Sequence, residues 1–299
     1  MLCELLGKSK QAFYKENTDQ PLVDEVKEQI ALDFARAVRK KDPMIGVVKI
    51  WYMYTKEQPE ELRIGRDRFI RIMAENNLRV RRRQFKPRTT DSRHNLPLYP
   101  NLVKALIPQR PNQLWVSDIT YWPTGLVVDE KKFYYISIIT DAYTHEIVSY
   151  ELSRTLSTVA PLKALKTALR TLPEKPKELI HHSDRGVQYA SLEYTKELKK
   201  HGIHISMTEC GDPKENPVAE RINETLKNEI LGGKPAGTFV QALRKLAAAV
   251  QFYNKERPHM SCDMLTPEET AQRTGPLKKQ WHSYREEYIK QENDEASAA

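Results

Sequence analysis

The sequence predicts an α/β chain in which a mostly helical region precedes a mixed domain. Three observations predict it. Apolar residues in the first quarter recur at helical spacing. From residue 113 onward, three strand-like runs are followed by helix, strand, helix, strand and further helices. The excess of positive charge ends where the pattern changes.

Leu2, Leu5 and Leu6 precede Gly7, and Ser9 then stands as an N-cap candidate before a short second helix. Val23, Val26, Ile30, Phe34 and Val38 fall at three- and four-residue steps, which predicts an amphipathic helix over 21–41. Further helices are expected at 45–56 and 65–77, the second with Phe69, Ile72 and Met73 on its apolar face. Arg66, Arg68 and Arg71 lie near its start, as in a helix that enters a DNA groove; a helical hairpin with solvated arginines explains them equally well.

Residues 1–110 carry 23 Lys and Arg against 14 Asp and Glu, whereas residues 111–299 carry 25 against 26. All of the net +8 therefore belongs to the first third, as expected of a polyanion-binding module attached to a neutral body. Arg81, Arg82, Arg83, Lys86 and Arg88 crowd into one short segment, and Pro87, Pro97, Pro100, Pro108 and Pro111 punctuate the stretch up to residue 112. This reads as an extended basic linker that tracks phosphates without reading sequence.

Strands are expected at 114–122, 132–140 and 146–152. A helix follows over 157–172, with Val159, Leu162, Leu165, Ala168 and Leu169 on one face. Then come a strand at 178–183, a helix at 191–201, a strand at 203–207 and helices near 217–231 and 238–254. That order is the order of a ribonuclease H-like fold.

Three carboxylates stand out against this framework. Asp118 lies in mid-strand, where a poor strand former needs a polar partner or a cation. Asp184 ends the fourth strand, and Gly186 lets the chain turn away. His182, two residues before Asp184, shares its strand face. Glu220 lies in the first turn of a helix opening at Asn216-Pro217, about 200° around from Ile222 on the apolar row Val218, Ile222, Leu226, Ile230. Lys227 falls two turns along the same side. Taken singly, each has an ordinary reading: a hydrogen-bonded Asp, a turn Asp and a solvated Glu/Lys face.

The combination is specific. WVSDITY at 115–121, HHSDRGVQYAS at 181–191, ENPVAERINETLKNE at 215–229 and YNKERPHMSCDMLTPEE at 253–269 resemble the insertion-sequence transposases of the IS-three group (the orfB product), kin to retroviral integrases. The resemblance covers about residues 1–275. It implies that Asp118, Asp184 and Glu220 are a catalytic acidic triad holding two Mg²⁺ (or Mn²⁺) ions, and that Lys227 contacts DNA. Double-stranded DNA is the expected substrate, the need to join two ends predicts a homo-oligomer on DNA, and the chain acts either alone or with an upstream orfA-type partner, separate or fused by frameshifting. Where the family usually has Asp-Asn-Ala, this chain has Glu215, Asn216 and Pro217.

The expected organisation is a helical DNA-binding region (1–77), a basic Pro-rich linker (78–112), a ribonuclease H-like integrase core (113–275) and a charged tail (276–299), read as a frayed helix or disorder. No run of about 18 apolar residues marks a membrane span. The three scattered cysteines fit a reducing, cytoplasmic compartment, and the resemblance implies a bacterial, nucleoid-associated setting. GGKPAG at 232–237 lacks the P-loop pattern, so ATP use is not expected. Two rival readings are a DNA-binding regulator with an inactive core and a ribonuclease H-like nuclease acting on RNA–DNA hybrids.

Overall fold

The computed structural model describes residues 20–80, 96–128, 131–172, 176, 178–209, 215–289 and 291. The helix–Gly–helix unit expected before residue 20 and the basic cluster Arg81–Arg83, Lys86 and Arg88 lie outside the described residues. The chain divides into two compact units, residues 1–40 with 45–81, and residues 41–44 with 82–299.

The first unit is helical: α1 (Gln20–Lys41), α2 (Val47–Glu57), a 3-10 turn (Glu60–Leu62) and α3 (Arg66–Glu75). Its centre is Tyr54, whose ring meets Phe34 at 5.6 Å and Phe69 at 5.3 Å, with Ala31, Ala35, Ile50, Ile72 and Met73 buried around it. The row expected on α1 needs correction. Val23 and Val26 are exposed, and the buried row is Ala31, Leu32, Ala35 and Val38. Alanines on that row let neighbouring helices approach closely, and a periodicity count that favours larger residues passes over them.

The second unit holds a five-stranded sheet of order β3-β2-β1-β4-β5. The strands are β1 (Leu114–Val128), β2 (Lys131–Asp141), β3 (Ile147–Ser153), β4 (Ile180–Ser183) and β5 (His204–Met207). The first three form an antiparallel meander, while β4 and β5 run parallel to β1. The crossovers are α4 (Val159–Thr171), then α5 (Val187–Ala190) with α6 (Leu192–Lys200). This is the arrangement expected of a ribonuclease H-like domain. Alternation along β1 builds two faces. Trp115 and Ile119 pack with Ala164, Leu165 and Ala168 of α4 and with Tyr194 and Leu198 of α6. Leu114 and Val116 pack on the other face with Ala219 of α7 (Pro217–Glu224). On α4 the buried set includes Ala160, Pro161 and Ala164, and Val159 is exposed, contrary to expectation.

The helix expected over 217–231 changes character midway, from α7 to a π-helical turn at Thr225–Ile230. After it, residues 232–237 lie against the far half of β1. Trp122 Nε1 donates to the Lys234 carbonyl (2.9 Å), Ala236 N to Pro123 O (2.8 Å) and Gly237 N to Thr124 O (2.9 Å). The last helices are α8 (Phe239–Lys255), with a Thr238/Gln241 capping box, and α9 (Pro267–Thr270).

The described part of the expected linker, 96–112, has neither helix nor strand, yet it is laid on the domain. Leu102 N donates to Ser206 Oγ (2.9 Å), and Val103 is buried. The tail through residue 289 is also held, with a helix at 284–289 whose Arg285 donates to the Val103 carbonyl (2.8 Å).

Candidate active site

The β1–β4 ladder pairs Leu114 with Ile180, Trp115 with His181 and Val116 with His182. Asp118 lies two residues beyond the last pair on β1, and Asp184 two residues beyond it on the other chain segment, just past the end of β4. Asp118 is half-buried. Its Oδ1 accepts from Ile119 N (2.8 Å) and its Oδ2 from Asn223 Nδ2 (2.6 Å). These donors favour the ionised form, but burial outweighs them. With the like charge of Asp184 and, less strongly, of Glu220, it pushes the Asp118 carboxyl up to about 7. The three carboxylates therefore share one electrostatic environment.

Asp184 is held by its own turn. Gly186 N donates to its Oδ1 (2.9 Å), and a Cβ at Gly186 would stand 2.9 Å from that oxygen. The backbone at Gly186 is ordinary (φ −61°), so a side chain here would meet no backbone strain but would displace the Asp184 carboxylate.

Glu220 lies in a sequence row whose other three members bond β1. Asn216, Glu220, Asn223 and Lys227 follow at steps of four, three and four, so they lie one above another. Asn216 Nδ2 donates to Ser117 O (3.1 Å), Asn223 to Asp118, and Lys227 Nζ to Thr120 Oγ1 (3.2 Å). Asn216 occupies the N-cap position, but its side chain makes no capping bond and crosses to the strand instead.

The adjacent histidines brace this geometry. Burial drives His182 down to about 4, so it is neutral. Its Nε2 faces the Glu215 carbonyl (3.1 Å) and must carry the proton, and its Nδ1 accepts from Ser206 Oγ–H (2.8 Å). Ser206 Oγ in turn accepts from Leu102 N. This chain ties β4 and β5 to Glu215, two residues before α7. His181, held at about 3 by burial, meets Ser117 Oγ (2.8 Å) and Tyr194 OH (2.9 Å).

Arg66 and Arg68 lie on α3 in the first unit, and each faces a carboxylate: Asp67 at 3.2 Å and Asp24 at 3.1 Å. Sequence reasoning passed over Asn223 and the Lys227–Thr120 bond. The signal for Asn223 was its position three residues after Glu220 on the same face.

Among the described residues, no three His, Cys, Asp or Glu side chains are placed to share one metal ion as they stand. The donor set nevertheless suits a hard divalent cation. It is all carboxylate oxygen, and the repulsion that raises Asp118 is what a cation would relieve.

Integrase core domain families match residues 108–213 and 201–267. The 31 kDa protein of insertion element IS600 from Shigella sonnei is 32% identical over 272 residues, covering 89% of this chain and 96% of that protein. The transposase for insertion sequence element IS629, also from Shigella sonnei, is 32% identical over 75% of this chain and 73% of its own length. The HTLV-2 integrase catalytic core domain superposes with a TM-score of 0.43 at 17% identity, over 55% of this chain and 99% of that one. The chain belongs to the insertion-sequence transposases of the retroviral integrase-like superfamily. Its enzymatic class is DNA transposase, a polynucleotidyl transferase. Among the described residues, no helix is long and apolar enough to cross a membrane.

Proposed function

We propose that this chain moves an insertion sequence by divalent-metal-dependent phosphoryl transfer: water cuts a phosphodiester at the element end, and the freed 3′-hydroxyl then attacks a target phosphodiester. The observation that supports it is that Asp118, in mid-β1 and bonded by Asn223 of α7, feels the like charges of Asp184, just past the end of the neighbouring β4, and of Glu220 on α7. These three side chains would hold two Mg²⁺ or Mn²⁺ ions, acting as ligands rather than as an acid/base pair. When bound, such ions activate the attacking oxygen and stabilise the leaving one.

The remaining roles belong to side chains. Asn223 orients the Asp118 carboxylate through its amide hydrogen bond. Lys227, held by the Thr120 hydroxyl, presents its ammonium beside the carboxylates and binds a DNA phosphate. His182 keeps the entry to α7 in place and carries no proton in the reaction. Arg81, Arg82, Arg83, Lys86 and Arg88 track the duplex backbone, and Arg66 and Arg68 meet DNA on exchanging their carboxylate partners for phosphate. Joining two element ends calls for at least two copies on DNA, with an orfA-type protein as a further partner, at the bacterial nucleoid.

Asp184→Asn tests the reading. It is expected to abolish cleavage and strand transfer in Mg²⁺ while binding to element ends persists. Cutting at the normal rate would overturn the assignment.

A further inference from the structure

The 253–269 motif has no part in the proposed chemistry, yet it contains the most deeply buried arginine among the described residues. Arg257 is 1% exposed. Its Nε donates to Asp42 Oδ2 (3.1 Å) and its Nη2 to Glu229 Oε2. The other Glu229 oxygen accepts from Arg221 Nη2 (2.7 Å). Asn254, three residues earlier, brackets the start of β3 by bonding both Ile147 N and Ile147 O (3.0 Å each). The end of α8 is thus fixed to the sheet on one side and reaches Glu229 on the other.

Glu229 lies inside the π-helical turn. Such a turn is intrinsically unfavourable and persists where something outside the helix supports it. Its widened path is visible in the bond from Leu231 N to Leu226 O (2.9 Å), five residues apart where an α-helix spans four. In an uninterrupted α-helix, eight residues correspond to about 80° of rotation between Arg221 and Glu229. The wider turn changes that phase and brings Glu229 between the two arginines. Lys227, two residues before Glu229, is in the same turn.

We propose that Arg257 is a positioning residue for substrate binding: by gripping Glu229 it holds the π turn that sets Lys227 on Thr120, in line with Asp118. This rests on the reading that Lys227 meets a DNA phosphate. Arg257 itself touches no substrate.

The test uses the full chain and a non-specific duplex, with affinity measured against salt concentration. Lys227→Ala is expected to flatten the log–log salt slope by about 0.9, the loss of one phosphate contact. Glu229→Gln, at a side chain 20% exposed, is expected to flatten it equally. The double variant should match either single one. Arg257→Lys keeps the charge but loses the two-armed grip; it should shift the slope in the same direction, and it carries the test if Glu229→Gln does not fold. A contribution to folding alone would lower the melting temperature and leave the slope of the folded protein unchanged. If Lys227→Ala alters the slope while Glu229→Gln and Arg257→Lys do not, or if the effects of Lys227→Ala and Glu229→Gln add, the positioning role is refuted. If Lys227→Ala itself has no effect, the phosphate-contact reading falls instead.

Discussion

Replacing Asp118 by Asn removes the charge that its two acidic neighbours oppose. The folded protein holds this carboxyl at about 7 against an ordinary 3.8. Between those values the folded state binds more protons than the unfolded one, so stability is lost as pH rises through that window. Each pH unit of separation corresponds to about 1.4 kcal/mol, which sets a ceiling of about 4 kcal/mol. Asp118 is half-buried, and solvent screening reduces this to about 2 kcal/mol. The asparagine need not orphan its amide. Asn223 Oδ1 is buried without a partner, and flipping that amide lets it accept from the new side chain. Asp118→Asn should therefore stabilise the metal-free protein by about 2 kcal/mol at pH 8 and by almost nothing well below pH 4. In saturating Mg²⁺ the order should reverse, since only the parent gains about 2.7 kcal/mol at a hundredfold excess over Kd. Unfolding midpoints measured in EDTA and in Mg²⁺ from pH 3.5 to 8 check both signs. A difference that ignores pH, or a destabilised variant in EDTA at pH 8, would refute the charge-cluster reasoning.

Two other perturbations probe separate parts. Gly186→Ala places a methyl 2.9 Å from Asp184 Oδ1, so the carboxylate must shift; single-turnover cleavage should fall by about tenfold or more, with element-end binding unchanged. Replacing Arg81, Arg82 and Arg83 with Ala should flatten the salt dependence of DNA binding by up to about 2.7 in log–log slope, and an unaltered slope would remove them from the DNA path.

Much of this architecture was legible because strands and helices carry different periods. The β-branched run at 132–140 and the Asn-Pro opening of α7 both mark elements found within a residue or two of expectation. What escaped was set by tertiary packing. Val23 and Val159 fit a helical stripe but are exposed, since small alanines take the contact positions. The π turn went unread because the residue that grips it, Arg257, lies 28 residues beyond Glu229 in sequence. For the site, residue types and order pointed to Asp118, Asp184 and Glu220. That Asp118 and Asp184 come from adjacent parallel strand segments is visible only once β1 and β4 are paired. Asn223 was passed over because a helical asparagine draws no notice until a strand aspartate is known to face it.

The strand carrying Asp118 is far longer than its parallel neighbour, which pairs only with residues 114–116. The overhang would otherwise expose a row of backbone acceptors, a template for association with other chains. The glycine-rich stretch after the π turn occupies the carbonyls of Pro123 and Thr124, and Pro123 has no N–H to offer. Residues 232–237 thus leave less of the β1 edge open to pairing with another chain.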